Sequence, residues 1–326
     1  MLNDSRRIII SRTDRIGDVV LSLPTFASIK ECFPDCELTA LVRGYTSDVV
    51  SSFGAVDRVV TYDPEESIIA TVRKMKRLHA DSILFLYPRF HVTLAAFLAR
   101  IPLRVGTAYR WYSFLFNRKV REHRKDSIKS EAEYNLSLAE AIGCNAKVLD
   151  TNLRINEKGL DRVREFLTRN RIDRFVVVHP GSGGSAADWS SANFNSLCKR
   201  VSEELQMPVL VSGANHEKDL CAAVSDGVPN CINTAGEFTL IEFIAFLSLA
   251  SAFVSNSTGP IHLAAATGTP VVGIYPNNKP MTPVRWAPLA DKRTILTPSD
   301  GSDELYRVTI EEVLQAIRAM LPVTTR

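Results

Sequence analysis

Residues 7–33 read RIIISRTDRIGDVVLSLPTFASIKECF, and this stretch decides the fold. It opens with an apolar run of strand length, passes through a polar loop at 11–18, and continues with apolar residues at helical spacing up to Pro34. This order predicts a strand, a loop at its carboxyl end and a helix, the repeating unit of a parallel α/β sheet. The loop holds one glycine, so it lacks the dinucleotide-binding fingerprint, and neither a P-loop, GxSxG nor HExxH occurs in the chain.

The same alternation of short apolar runs and longer amphipathic ones continues in two series. The first series predicts strands at 7–11, 37–42, 58–61, 82–87 and 103–106, with helices at 19–33, 46–53, 65–79 and 91–100. The second predicts strands at 174–179, 208–212, 230–233, 252–255, 270–274 and 293–296, with helices at 157–171, 191–205, 217–225, 240–250 and 261–267. Two series predict two doubly wound, Rossmann-like domains, residues 1–152 and 153–326, with ligands in a cleft between them. The pattern leaves open whether a last helix, 309–321, packs on its own domain or back on the N-terminal one.

The composition is that of a soluble protein large enough for two domains, with 326 residues, 45% of them hydrophobic and 23% charged. The net charge of +3 is too small to indicate nucleic-acid binding. The apolar run at 8–10 is too short for a signal peptide, and the stretch 240–254 falls short of a membrane span, so we expect a cytoplasmic protein. The six cysteines are therefore expected to be reduced thiols.

Asp18 is the candidate catalytic residue of the first loop. It stands where the helix begins, beside Gly17 and close to Arg12 and Arg15. One interpretation is a helix N-cap, a role worth about 1 kcal/mol of stability. The other is a carboxylate that takes a proton from an acceptor hydroxyl as a general base. The spacing alone favours the cap.

Two loops of the second half have the features of an anion site. HPGSGGS, residues 179–185, follows a strand, and its three glycines let backbone amides approach a ligand closely, with a flexible turn as the alternative. SNSTGPIH, residues 255–262, opens a helix at Thr258, with Pro260 in the first turn. The unpaired amides of a helix start suit a diphosphate. His262 either adds a donor there or packs inside the domain.

Taken in order along the chain, RIGDVVLSLP (15–24), VVVHPGSGG (176–184) and NSTGPIHLAAATGTPVVGIYP (256–276) resemble glycosyltransferase family 9, the ADP-heptose:lipopolysaccharide heptosyltransferases. The resemblance covers nearly the whole chain. It implies a GT-B fold, an acceptor held by the N-terminal half, a nucleotide sugar held by the C-terminal half, and inversion at the anomeric carbon without a metal or other cofactor. Asp18 then matches the general base. Thr258 and Gly259 match the diphosphate-binding helix start, and Glu217 matches an acidic residue that binds ribose hydroxyls.

The expected donor-binding residues lie in loops at the carboxyl ends of second-half strands: Gly181, Ser182, Gly183, Glu217, Ser257, Thr258, Gly259, Pro260 and His262. Two positions depart from the family that the chain resembles. Ala187 stands where a lysine contacts phosphate, and Ser257 stands where an aspartate contacts the donor sugar. ADP-heptose is the favoured donor, and we hypothesise that Arg15, Lys279 or Arg285 supplies the positive charge missing at position 187.

A basic and aromatic segment marks the acceptor side. Residues 100–129 hold nine Lys or Arg residues against two acidic ones, and they are interleaved with Trp111, Tyr112, Phe114, Leu115 and Phe116. This composition predicts an anionic glycan or glycolipid acceptor and peripheral contact with the cytoplasmic leaflet. The alternatives are RNA, which usually needs a larger surface, and a solvated loop that packs its aromatic side chains. The expected acceptor-side residues are Arg12, Gly17, Arg110 and Arg118.

The sequence therefore predicts an inverting, metal-independent glycosyltransferase that acts in lipopolysaccharide-core or related glycan assembly. Asp18 deprotonates the acceptor hydroxyl, and the second-half loops hold the departing nucleoside diphosphate. Two alternatives stay open. A GT-B-like sugar-nucleotide epimerase would turn over without an acceptor, and a non-catalytic nucleotide-sugar-binding paralogue would bind without turnover.

Overall fold

Each half of the chain folds around its own six-stranded parallel sheet. The computed structural model describes residues 7–147, 151–184 and 188–321. The chain divides into two units, Met1–Leu153 and Arg154–Arg326, next to the predicted boundary. Within the described ranges, every helix is too short or too polar to cross a bilayer.

The first unit is a doubly wound sheet with its first strand near the centre. Its strands are β1 (Arg7–Arg12), β2 (Glu37–Arg43), β3 (Arg58–Tyr62), β4 (Ser82–Phe85), β5 (Leu103–Thr107) and β6 (Arg118–Val120). Its helices are α1 (Ile16–Val20), α2 (Leu23–Cys32), α3 (Ser47–Ser51), α4 (Ile68–Leu78), α5 (Phe90–Leu98) and α6 (Glu131–Glu140). The strand order is β3-β2-β1-β4-β5-β6, all parallel, which is the Rossmann order. Ile8, Ile9 and Ile10 of β1 are fully buried, as a sheet covered on both faces requires.

The second unit repeats this topology. Its strands are β7 (Val176–His179), β8 (Val209–Val211), β9 (Cys231–Asn233), β10 (Ala252–Asn256), β11 (Val271–Ile274) and β12 (Arg293–Leu296). Its helices are α7 (Glu157–Arg169), α8 (Ser191–Glu204), α9 (Lys218–Ser225), α10 (Leu240–Ser248), α11 (Gly259–Ala266), α12 (Pro283–Trp286) and α13 (Ile310–Met320). The order β12-β11-β10-β7-β8-β9 is again all parallel and becomes the Rossmann order when counting starts at β7. The carboxyl ends of β7, β8 and β10 therefore meet at one edge of this sheet.

The first predicted helix, 19–33, is in fact two helices, α1 and α2. Pro24 lies in the first turn of α2 and cannot donate the N–H bond that an unbroken helix would need there. The Ser22 hydroxyl donates to the Val19 carbonyl at 2.6 Å, which satisfies an acceptor at the end of α1. Asp18 consequently lies in a short helix of its own.

One pair of cysteines departs from the prediction of six reduced thiols. Helix α2 packs against α6, and Cys32 at the end of α2 forms a disulfide with Cys144, their Cα atoms 5.6 Å apart. The pair is 112 residues apart in sequence, so no local pattern indicates it. Among the described residues, Cys198, Cys221 and Cys231 are free thiols.

Helix α13 packs against α8 and against strands β11 and β12 of its own unit. Val313, Leu314 and Ile317 belong to the buried core of that unit. The last helix thus packs on its own unit.

Candidate active site

A buried arginine organises the loop after β1. Arg12 is 1% exposed, and its guanidinium donates to Asp14 Oδ1 at 2.8 Å and to Asp18 Oδ1 at 2.5 Å. From the other side, α6 presents Glu131 Oε1 and Asn135 Oδ1, each 3.0 Å from Arg12 Nη1. The guanidinium therefore joins three carboxylates that come from a loop and two different helices.

The charge of this Arg12 cluster is unbalanced. Glu131 is also paired with Arg124, so two guanidinium groups face three carboxylates. Burial, and then the charges of Asp18 and Glu131, raise the pKa of Asp14 to about 7 against the opposing effect of Arg12. Burial opposes the charged form of Arg12, but the surrounding carboxylates outweigh it and raise the pKa of the guanidinium. The Asp14 carboxyl is therefore protonated at a higher pH than an exposed aspartate.

Asp18 does not occupy the N-cap that the spacing favoured. The cap position of α1 is Arg15. Asp18 follows it within the first turn of the helix. Its carboxylate is 16% exposed, whereas the Arg12 side chain that holds it is 2% exposed. The carboxylate is fixed on one side by a buried cation and is reachable by solvent on the other.

The residues predicted for the acceptor side separate in the structure. Gly17 is buried within α1, next to Asp18. Arg12 is buried and donates its hydrogen bonds to carboxylates inside the unit, so the prediction that it contacts the acceptor is wrong. Its role is to hold Asp18 in place. Arg110 and Arg118 are exposed, in the segment after β5 and in β6.

In the second unit, Gly181 and Glu217 meet at the ends of β7 and β8. A Cβ atom at Gly181 would lie 2.0 Å from Glu217 Oε1, so any larger residue there requires the Glu217 carboxylate to move. Glu217 Oε2 accepts from the Ala214 amide at 2.7 Å, which fixes the side chain over the loop. Ser182 is buried, and Gly183 adopts the left-handed conformation with φ of 55°. The glycine loop and Glu217, separate in sequence, thus form one site.

His179, at the end of β7, lies behind this site. It is 6% exposed, and its Nδ1 is 3.0 Å from Ser212 Oγ. Burial lowers its pKa to about 4, against the opposing charge of Glu217. The imidazole is therefore neutral at neutral pH, and its contact with Ser212 joins the ends of β7 and β8, which sequence reasoning missed.

Asn256 joins the glycine loop to the start of α11. Its Nδ2 donates to the Pro180 carbonyl at 2.9 Å and to Asp188 Oδ1 at 3.2 Å, and its Oδ1 accepts from the Trp189 amide at 2.9 Å. All of these contacts are buried or partly buried. Asn256 lies directly at the end of β10, and its position beside the Ser-Thr-Gly sequence is a signal that could have found it.

The start of α11 has the geometry expected of an anion site. Thr258 is the N-cap residue by backbone conformation, but its side chain accepts no capping bond within the described part of the chain. Gly259 and Pro260 begin the helix, and their turn leaves backbone amides without helical partners. His262 is 4% exposed, so it packs inside the unit. The Ser257 hydroxyl bonds to buried Tyr275, whose own hydroxyl donates to the Trp286 carbonyl at 3.0 Å.

The three cations proposed to replace the missing lysine differ in position. Arg15 is exposed in the first unit, and Lys279 is exposed in the loop after β11. Arg285 belongs to α12, where its guanidinium lies 4.6 Å from the ring centre of Trp286. Ala187 lies outside the described residues. Within those residues, no three His, Cys, Asp or Glu side chains gather in a way that would hold a metal ion.

Comparisons with known proteins give the family of the chain and the fold that it shares. A model of glycosyltransferase family 9 (heptosyltransferase) matches residues 68–313. A Haemophilus influenzae protein is 28% identical to the chain, and the alignment covers 95% of each. Lipopolysaccharide heptosyltransferase 3 of Escherichia coli is 24% identical over 79% of this chain and 80% of its own. The solved structure of E. coli ADP-heptose LPS heptosyltransferase II superposes with a TM-score of 0.83, at 20% identity, over 97% of this chain and 98% of that one.

The two Rossmann-like units confirm the predicted fold class, that of the GT-B glycosyltransferases. The family model then identifies one family within this fold class. The chain belongs to glycosyltransferase family 9, the heptosyltransferase family.

Proposed function

We propose that this chain is an inverting, metal-independent transferase that moves heptose from ADP-heptose to a hydroxyl of a lipopolysaccharide-core or related glycan acceptor. The observation that carries the proposal is the Asp18 carboxylate, which is held at 2.5 Å by a buried guanidinium and is still partly open to solvent. A carboxylate positioned in this way suits general-base catalysis at an acceptor hydroxyl. The names of the E. coli relatives support heptose and ADP as the donor components.

The donor diphosphate is proposed to bind at the start of α11. The free amides and the helix dipole there stabilise the negative charge that develops on the leaving nucleoside diphosphate. The backbone of Gly181 and Gly183 approaches the same ligand, and Glu217 accepts hydrogen bonds from ribose hydroxyls. The Ser257 hydroxyl, tied to Tyr275, contacts the donor through a neutral group where other members carry a carboxylate.

The proposed chemical step has a simple balance. The acceptor hydroxyl gives its proton to Asp18, and its oxygen forms the new bond at the anomeric carbon. The bond from that carbon to the diphosphate breaks, and its electron pair leaves with the diphosphate. Because attack and departure are on opposite sides, the anomeric configuration inverts.

We further propose peripheral contact of the first unit with an anionic membrane. The predicted aromatic segment divides in the structure: Tyr112, Leu115 and Phe116 are buried in the core, whereas Trp111 is 73% exposed and Phe114 is 69% exposed. The exposed pair lies among exposed cations, Arg110, Arg118, Lys119 and Arg121. Large aromatic groups flanked by cations suit the surface of an anionic bilayer.

The membrane contact is tested by sedimentation with vesicles of phosphatidylglycerol and phosphatidylcholine at low and high salt. We expect Trp111→Ser/Phe114→Ser to weaken binding to the anionic vesicles. Tyr306→Ser, which replaces a 65% exposed aromatic residue of the second unit, is the matched control. Equal binding by the wild type and the double variant would contradict the contact.

The donor is identified by thermal-shift titration with ADP-, UDP-, GDP- and dTDP-sugars. A donor present at 100 times its dissociation constant should stabilise the protein by about 2.7 kcal/mol. Transfer is then measured with and without EDTA, and the anomeric configuration of the product is read by NMR. A retained configuration, or activity lost in EDTA and restored by a metal, would reject that part of the proposal.

The role of Asp18 is tested with Asp18→Asn, which should lower kcat by about 10²- to 10⁴-fold. Asp48→Asn is the matched control, because Asp48 is also a partly exposed acid in the first turn of a five-residue helix of the first unit. Turnover of the sugar nucleotide without any acceptor would instead favour the epimerase. Binding with no turnover by the wild type would favour the non-catalytic paralogue.

A further inference from the structure

A groove of about 490 Å³ runs beside β3, the edge strand of the first sheet. Its wall on the other side is α4, whose Thr71, Met75 and Leu78 are buried toward the unit. The charged side chains that line it are Arg58, Glu66, Arg73, Lys74 and Arg77. None of these residues takes part in the Arg12 cluster or in the donor loops.

The groove concentrates positive charge. Its one carboxylate, Glu66, is paired with Lys74 at 2.9 Å, and the same ammonium donates to the Thr61 carbonyl at 2.8 Å. Arg58, Arg73 and Arg77 are exposed, and none of them has an ion pair with a residue that the structure describes. Four cations and one anion therefore line a single groove in a chain whose whole net charge is only +3.

The spacing of two of the arginines on α4 is unfavourable for the helix. Arg73 and Arg77 are four residues apart on α4, so their charges face each other on one side of the helix, and such like-charged pairs destabilise a helix. An anion between them would remove this repulsion. Guanidinium groups bind phosphate oxygens in pairs, through a planar fork that matches their geometry.

We propose that this groove, here called the β3–α4 groove, binds a phosphate ester carried by a saccharide or by a lipid headgroup. The volume supports a ligand larger than inorganic phosphate, since small-molecule sites commonly occupy about 300–1,000 Å³. Arg58, at the start of β3, and the Arg73–Arg77 pair on α4 contact the phosphate. Lys74 neutralises Glu66 and keeps that carboxylate from repelling the ligand. This site is separate from the donor diphosphate site and does not depend on the proposed transferase reaction.

The test compares Arg73→Gln/Arg77→Gln with Lys158→Gln/Lys199→Gln, a control that removes the same charge from exposed positions of the second unit. The soluble probe is glucose 6-phosphate, measured by calorimetry with ADP present to occupy the donor site. The lipid probe is a vesicle of phosphatidylglycerol in phosphatidylcholine. Hydrogen exchange of the amides of α4, with and without each probe, locates the binding.

Losing two charged hydrogen-bond donors should weaken binding by about tenfold or more, while the control binds like the wild type. Slower exchange in α4 with glucose 6-phosphate indicates a soluble phosphorylated saccharide, and slower exchange with vesicles alone indicates a lipid headgroup. The melting temperature of the double variant should not fall, because the substitutions relieve the repulsion on α4. If neither probe slows exchange in α4, or if each probe slows it equally in the two double variants, the site is refuted.

Discussion

Replacing Arg12 with methionine removes the cation on which three carboxylates depend and keeps an apolar stem of similar length. The Arg12 side chain is 2% exposed and is bonded to Asp14, Asp18 and Glu131. Removing one partner of a buried ion pair costs about 3–5 kcal/mol, because the remaining charges stay buried without compensation. Folded domains have about 5–15 kcal/mol of stability in total. We therefore expect Arg12→Met to fold but to lose a large part of the stability of the first unit at pH 7.

The loss should depend on pH in a defined direction. Without Arg12, the buried carboxylates bind protons more readily in the folded state than in the unfolded state. Where the native state binds more protons than the unfolded state, stability decreases as the pH increases. The free energy of unfolding of the variant therefore rises as the pH falls. The wild type also gains stability as the pH falls, through Asp14, but the variant has lost the cation that opposes protonation and gains more. The gap between the two should therefore narrow between pH 7 and pH 5.

The full chain is used, and hydrogen exchange of the β1 amides reports the stability of the first unit alone, because a two-unit chain need not unfold in one step. Arg118→Met is the control, since Arg118 is exposed on β6 and surface substitutions usually change stability by less than about 0.5 kcal/mol. Arg12→Lys keeps the charge but not the planar fork, so an intermediate loss is expected. The reasoning fails if Arg12→Met matches Arg118→Met at pH 7, or if its deficit is the same at pH 5.

Three further outcomes are expected. Asp14→Asn should flatten the pH dependence of stability: the folded pKa of about 7 lies above the ordinary 3.8, so wild-type stability falls as the pH rises across that interval, as urea titrations at several pH values would show. His179→Gln should flatten the acid limb, since a folded pKa of about 4 makes wild-type stability fall as the pH drops from 6.5; an unchanged limb would contradict this. Gly181→Ala places a methyl group against Glu217, which should lower the free energy of unfolding by about 1–3 kcal/mol and reduce the thermal shift with donor. Gly44→Ala is the control, because a Cβ there meets open space and should change neither quantity.

The architecture could be predicted from the sequence because the strands of a parallel sheet covered on both faces consist of short apolar runs. All predicted strands are present, with ends shifted by at most two residues. Strand β6 and helix α6 were not predicted from this pattern. The sequence of β6, RKV, lies at the sheet edge and is mostly exposed, and α6 buries Glu131 and Asn135 together with its apolar side chains. Neither element shows the contrast between apolar and polar faces on which the prediction depends.

The residues that support the site were harder to find than the residues of the loops themselves. Asp18 lies at the start of the helix that follows β1, and Thr258 lies in the loop that follows β10, so the strand pattern already places both at the ligand-binding edge. Glu131 and Asn135 reach Arg12 from 119 and 123 residues away, and nothing in their own neighbourhood indicates a charge partner. The raised pKa of Asp14 has the same origin, because burial and the charges of α1 and α6 produce it together. Local sequence therefore identifies a candidate base, whereas the environment that holds it comes from tertiary packing. The Arg12 and Asp14 variants perturb that environment without replacing Asp18 itself.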